Sequence, residues 1–160
     1  MLFFIATLGC ASGPRSDNAA LEDYEAAVLI VHETVDAYAS GVIGQDLDGV
    51  ATMQGTYETD MEHALEELMH AIEDVGGCEM GSEMMTRVDE AEASHGAMEG
   101  MVTDLVAAHA DHTDAVECET AAEEHEVAMD EEIESLEGHH AAWSGETMTC
   151  SEHMDEADEH

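Results

Sequence analysis

The amino-acid sequence predicts an all-α protein, an up-down-up-down antiparallel four-helix bundle over residues 21–145. Apolar residues recur alternately three and four positions apart along four long segments, which is typical of amphipathic helices. Turn and capping signals separate these segments, and no segment alternates apolar and polar residues as a half-buried strand does. Because short connections join long helices, consecutive helices are expected to be antiparallel.

The first two helices are predicted from apolar stripes over residues 21–42 and 47–75. Gly49 and Gly55 interrupt the first half of the second stripe. Glycine weakens a helix interior, so we expect a break in helix two near Thr56.

The last two helices are predicted on either side of a turn near Cys118. Helix three has the most regular stripe, with apolar or histidine positions alternating four and three apart over residues 84–116. Thr120 and Glu123 then form a capping box, which is a helix start signal. Helix four is expected to continue from there to Trp143.

The charge is extreme, with 40 acidic residues against two basic ones and a net charge of −38. Such a chain repels nucleic acid and anionic lipid surfaces, so neither is an expected partner. The like charges also destabilise the compact state unless salt or bound cations screen them. A surface adapted to a saline habitat and a surface that concentrates metal cations both fit this composition.

The beginning and end of the chain read as segments outside the bundle. Residues 1–9 are a short apolar signal segment followed by Cys10, which is predicted to be lipidated after export. Residues 10–20 then form a tether, and residues 146–160 form an acidic, mobile tail with further His and Met residues. The expected location is the periplasm or cell surface of a bacterium, with membrane contact through the lipid anchor only.

The bundle geometry predicts which cysteines pair. Cys78 follows helix two and Cys150 follows helix four, so both lie at one end, whereas Cys118 lies at the other. About 60 Å of helix separates the two ends, and a disulfide needs Cα atoms within about 7 Å. The prediction is therefore a Cys78–Cys150 disulfide, with Cys118 left as a free thiol or metal ligand.

Histidines on the core-facing stripes predict a metal site. A buried imidazole without hydrogen-bond partners destabilises the fold, so its presence on a core face suggests a ligand role. A turn at Cys118 would place His112 opposite His125 and His109 near Met129, giving nitrogen and sulfur donors for copper or, as a second choice, zinc. The histidines could instead supply local positive charge among the carboxylates, which would disfavour metal binding.

A second cluster is expected at the opposite end of the bundle. There His95 comes level with His140, and Met61 and Met98 lie on neighbouring stripes. Methionine at such positions is also ordinary core filler.

Enzymatic activity is not predicted. Glu-x-x-His occurs at residues 67–70, 92–95 and 137–140, a spacing used by di-iron bundles, but so acidic a chain produces it by chance. No Cys-x-x-Cys-His motif for covalent haem and no phosphate-binding glycine loop for a nucleotide is present in the sequence. The expected function is buffering or sequestration of metal cations. The alternative is a structural or partner-binding acidic envelope lipoprotein without a specific metal site.

Overall fold

The computed structural model describes residues 17–146 and 148–150. Within these residues, four α-helices pack against one another, which confirms the all-α prediction. They are α1 (Asp17–Val42), α2 (Leu47–Gly76), α3 (Ser82–Asp111) and α4 (Ala115–Ser144), with two short strands, β1 (Cys78–Glu79) and β2 (Thr149–Cys150). The predicted signal segment, the lipidated Cys10 and residues 151–160 of the predicted tail lie outside the described residues.

Contacts between helices show that α1 runs in the opposite direction to α2 and to α4. Near the turn that joins α1 to α2, the ring of Tyr38 stacks on that of Tyr57 at 4.3 Å. α4 also packs on α1, where the Tyr24 hydroxyl donates a hydrogen bond to the Leu136 carbonyl at 3.1 Å. The turns 43–46 and 112–114 therefore lie at one end of the bundle, and β1 and β2 lie at the other.

The core is built from aliphatic side chains and methionine with a few aromatic rings. Trp143 is fully buried, and its indole N–H donates to the Met84 carbonyl at 3.3 Å. The Tyr24 ring meets Trp143 edge-on at 5.0 Å. The other large, fully buried side chains are Val31, Val35, Val42, Met61, Leu68, Ile72, Val75, Met98, Met129 and Leu136.

The first two helices differ from the sequence prediction, α1 in its start and α2 in its continuity. α1 begins at Asp17, so residues 17–20 belong to the helix and not to the tether. α2 is continuous, and the expected break near Thr56 does not occur. Val50 and Tyr57, on either side of Gly55, are both buried against the rest of the bundle. Their packing outweighs the weak helix propensity of the glycine between them.

The connection between α3 and α4 lies earlier in the sequence than predicted. Cys118 therefore lies in the first helical turn of α4 and not in the connection. α3 ends at Asp111, and His112 has an extended backbone. The Asp114 side chain caps α4 by accepting a hydrogen bond from the Val116 N–H at 2.9 Å. The actual start signal is therefore this aspartate cap and not the Thr120 capping box.

At the opposite end of the bundle, Cys78 and Cys150, the two cysteines predicted to pair, are in contact. The sulfur atoms of Cys78 and Cys150 lie at disulfide distance, 2.03 Å apart. Cys78 also pairs with Cys150 across the antiparallel β1–β2 ladder. Met148 is 3% exposed. Residues 148–150, expected to be part of a mobile tail, therefore pack onto the bundle.

Candidate metal site

Three of the predicted ligands come together where α3 ends and α4 begins. His109, His112 and Cys118 each offer one donor atom, and these atoms all lie within 4.8 Å of one another. Cys118 is 1% exposed and His109 is 8% exposed, while His112 is partly buried. The cluster therefore lies just inside the end of the bundle, beneath the 112–114 turn.

Two ring nitrogens of this cluster are buried without a hydrogen-bond partner among the residues that the structure describes. They are Nε2 of His109 and Nδ1 of His112. The other nitrogen of His109, Nδ1, lies 3.1 Å from the hydroxyl oxygen of Tyr38. An unsatisfied buried polar atom typically costs about 1–3 kcal/mol. Two such nitrogens beside a buried thiol are a costly arrangement in a metal-free protein.

The electrostatic environment favours a neutral His109 imidazole and a protonated Cys118 thiol before any metal binds. Burial, reinforced by the nearby His112 ring, lowers the pKa of His109, while a contact between the His109 ring and the Cys118 backbone, outside hydrogen-bond geometry, acts in the opposite direction. Burial also raises the pKa of the Cys118 thiol, with contributions from the carboxylates of Glu117 and Asp114. A neutral imidazole is ready to bind a metal, whereas the thiol must release its proton.

Two predicted ligands, His125 and Met129, are not part of this cluster. They lie seven and eleven residues beyond Cys118 on α4, or about 10 Å and 16 Å along the helix axis. The structure places His125 Nε2 2.6 Å from the Tyr57 hydroxyl, and it places Met129 in the core. The expected facing of His112 and His125 depended on a turn at Cys118. Because the turn lies at 112–114, Cys118 comes level with His109 instead.

At the opposite end, the residues of the second predicted cluster have other partners or lie in the core. His95 Nε2 lies 2.9 Å from the Leu65 carbonyl oxygen, which satisfies that nitrogen, and Met61 and Met98 are core residues. The buried histidine near the end of α4 is His139 and not His140. Over the described ranges, no other group of three His, Cys, Asp or Glu residues meets within 4.8 Å.

Two buried tyrosines contact the buried histidines, and apolar periodicity alone did not identify them as part of the site. Tyr38 and Tyr57 lie on the apolar stripes of α1 and α2 and are both buried. Their hydroxyls lie next to His109 and His125 respectively. A buried tyrosine normally finds a partner for its hydroxyl, so tyrosines on stripes that face buried histidines were a usable signal.

The donor set of the cluster is one sulfur and two imidazole nitrogens. Cysteine and histidine are the usual ligands of zinc and are also used by copper. Three protein donors leave a fourth tetrahedral position open. The carboxylates of Glu117 and Asp114 act electrostatically on Cys118 but are not among the donor atoms that meet within 4.8 Å.

The fold and the cluster define a helical bundle with a candidate transition-metal site at one end. No known protein family, curated protein or solved structure matches the chain. Within residues 17–146 and 148–150, none of the helices is both long enough and apolar enough to cross a membrane.

Proposed function

We propose that this protein binds a transition-metal ion through His109, His112 and Cys118 and thereby buffers or sequesters the metal. The observation that carries the proposal is the pair of buried, unpartnered imidazole nitrogens within reach of a buried thiol. A bound metal ion would satisfy both nitrogens and the sulfur together. Metal binding would therefore remove the free-energy penalty of the two unsatisfied nitrogens and would stabilise the folded protein.

Copper is the proposed metal, and zinc is the second choice. A set of two histidines and one cysteine suits copper, which also binds nitrogen and sulfur donors more tightly than the other divalent first-row metals. Zinc would need a fourth ligand, such as a water molecule or the Glu117 carboxylate. The surface supports either ion because 40 acidic residues raise the local concentration of cations.

In this proposal the protein acts outside the cytoplasm. The apolar residues 1–9 direct export, and lipidation of Cys10 anchors the protein to a bacterial membrane facing the periplasm or the cell exterior. The Cys78–Cys150 pair at disulfide distance fits an oxidising compartment. No catalysis is required, because the site only holds the ion.

Competition titration of the full-length protein tests the proposal. Metal-free protein is titrated without oxygen with Cu(I), kept reduced by ascorbate, against a coloured chelator, and separately with Zn²⁺. The wild type is expected to bind one ion more tightly than the variants His109→Ala and Cys118→Ser, which should each lose more than about 100-fold in affinity. The matched control is His70→Ala, since His70 is exposed on α2.

The outcomes separate the metals and test the site. Tight binding of Cu(I) with weak binding of Zn²⁺ supports copper, and the reverse supports zinc. If His109→Ala and Cys118→Ser bind as the control does, any metal is held elsewhere and the proposed site is wrong. Histidines in the tail are identical in all of these proteins, so they cannot account for a difference between variants.

A second candidate function is docking of a protein partner on the acidic surface. Exposed apolar side chains favour it, notably Leu29 on α1 and Val127 on α4, which are 53% and 61% exposed. This alternative needs no metal. Wild-type protein that binds neither ion in the titration supports it over the first proposal.

A further inference from the structure

Tyr38 contacts the candidate site without being one of its ligands. Its hydroxyl oxygen lies 3.1 Å from Nδ1 of His109, on the side of the ring away from the unpartnered Nε2. We infer that Tyr38 is a positioning residue that makes His109 bind the metal through Nε2. This inference rests on the proposed metal-binding function and specifies how that site is organised.

The chemistry of a neutral imidazole links its two nitrogens. A metal can bind only the nitrogen that carries no proton, so the other nitrogen must carry it. When a metal binds Nε2 of His109, Nδ1 therefore holds the proton and donates a hydrogen bond to the Tyr38 oxygen. Metal-binding histidines usually donate their second N–H to such an acceptor, which fixes the tautomer and the ring orientation.

Burial and ring stacking restrain the Tyr38 side chain beside His109. The side chain is buried, and its ring stacks on that of Tyr57 at 4.3 Å. A tyrosine phenol ordinarily loses its proton only at about pH 10, so Tyr38 is neutral at physiological pH. A neutral, fixed hydroxyl can accept the Nδ1–H without adding a negative charge to a site already surrounded by carboxylates.

The same ring stack contains a natural control. Tyr57 is also buried, and its hydroxyl lies 2.6 Å from Nε2 of His125, which is outside the ligand cluster. Tyr57→Phe therefore removes a hydroxyl–imidazole contact like that of Tyr38, but with a histidine that is not a proposed ligand. Tyr38→Phe and Tyr57→Phe should have comparable effects on folding, but only the first should affect the metal.

The test measures metal affinity and the tautomer of His109 in the full-length protein. Tyr38→Phe is expected to lower the affinity for the metal about 10- to 100-fold relative to Tyr57→Phe. Long-range ¹H–¹⁵N spectra of the zinc-loaded wild type should show His109 protonated at Nδ1. In zinc-loaded Tyr38→Phe the His109 signals should be split between tautomers or broadened, which a merely structural role for Tyr38 would not produce.

The outcomes distinguish this inference from the function on which it depends. If the wild type binds no metal, the proposed function fails and this inference fails with it. If the wild type binds metal, equal affinities of Tyr38→Phe and Tyr57→Phe overturn the positioning role and leave the function intact. A zinc-loaded His109 that is protonated at Nε2 also overturns it, because the metal would then occupy Nδ1.

Discussion

The hydroxyl oxygen of Tyr57 lies 2.6 Å from Nε2 of His125, and both side chains are buried where the four helices meet. Burial, together with the nearby His109, lowers the pKa of His125 to about 4. The fold therefore holds this ring neutral well below the pH at which a free histidine takes up a proton.

Acid should destabilise the bundle through His125. Between the unfolded-state pKa of about 6.5 and the folded-state value of about 4, the unfolded chain binds a proton on this ring and the folded chain does not. Its contribution to stability is complete above pH 6.5 and is lost as the pH falls toward 4. From pH 7.5 to 4.5 the loss should be about 2.5 kcal/mol.

Urea unfolding of metal-free wild type and His125→Gln at the two pH values measures this effect. Glutamine keeps a polar side chain but cannot titrate, while the carboxylates titrate equally in both proteins. The wild type should lose about 2.5 kcal/mol more than the variant on acidification. Equal losses would show that His125 is not held neutral by the fold.

The connection between Cys78 and Cys150 should contribute a large share of the stability. It closes a loop with a sequence separation of 72 residues, which corresponds to about 4 kcal/mol in the chain-entropy description. The double variant Cys78→Ala/Cys150→Ala is expected to lose roughly that amount in urea unfolding. Mild reduction of the wild type should produce a similar loss, and reduction of the double variant should produce none. A wild type indifferent to reduction would contradict the prediction.

Salt should stabilise the protein because like charges dominate its surface. Raising NaCl from 0.01 M to 1 M shortens the screening length from about 30 Å to 3 Å, so the repulsion among 40 acidic side chains weakens. The free energy of unfolding in urea should therefore increase with NaCl at pH 7. At pH 3, where most carboxylates are protonated, the increase should be much smaller. An equal increase at both pH values would point to a general salt effect and not to charge repulsion.

The fold could be predicted from the sequence because apolar periodicity carries most of the information about helices. The stripes of α1 and α3 lead directly to buried positions such as Val35 and Val88. The end-to-end length of the helices also limited the cysteine pairs to Cys78 and Cys150. Residues 17–20 and 148–150 were assigned to flanking segments because the burial of Ala20 and Met148 depends on contacts that are distant in sequence.

The candidate site was predicted in part. His109, His112 and Cys118 were chosen correctly as residues that meet, but His125 and Met129 were placed beside them by a misplaced turn. The periodic stripe continues through His112 to Val116, so periodicity could not show that the helix stops at Asp111. The start of α4 is indicated instead by Asp114 followed three residues later by Glu117. The Glu117 carboxylate accepts a hydrogen bond from the Thr113 N–H at 3.4 Å.

The covalent link between Cys78 and Cys150 and the candidate site lie at opposite ends of the same bundle. The end with β1 and β2 is cross-linked, whereas packing and hydrogen bonds hold the described residues at the end with turns 43–46 and 112–114. Local opening should therefore begin beside His112, where amide hydrogens would exchange faster than those near Cys78. An ion could then enter or leave through this fraying end while the remainder of the protein stays folded.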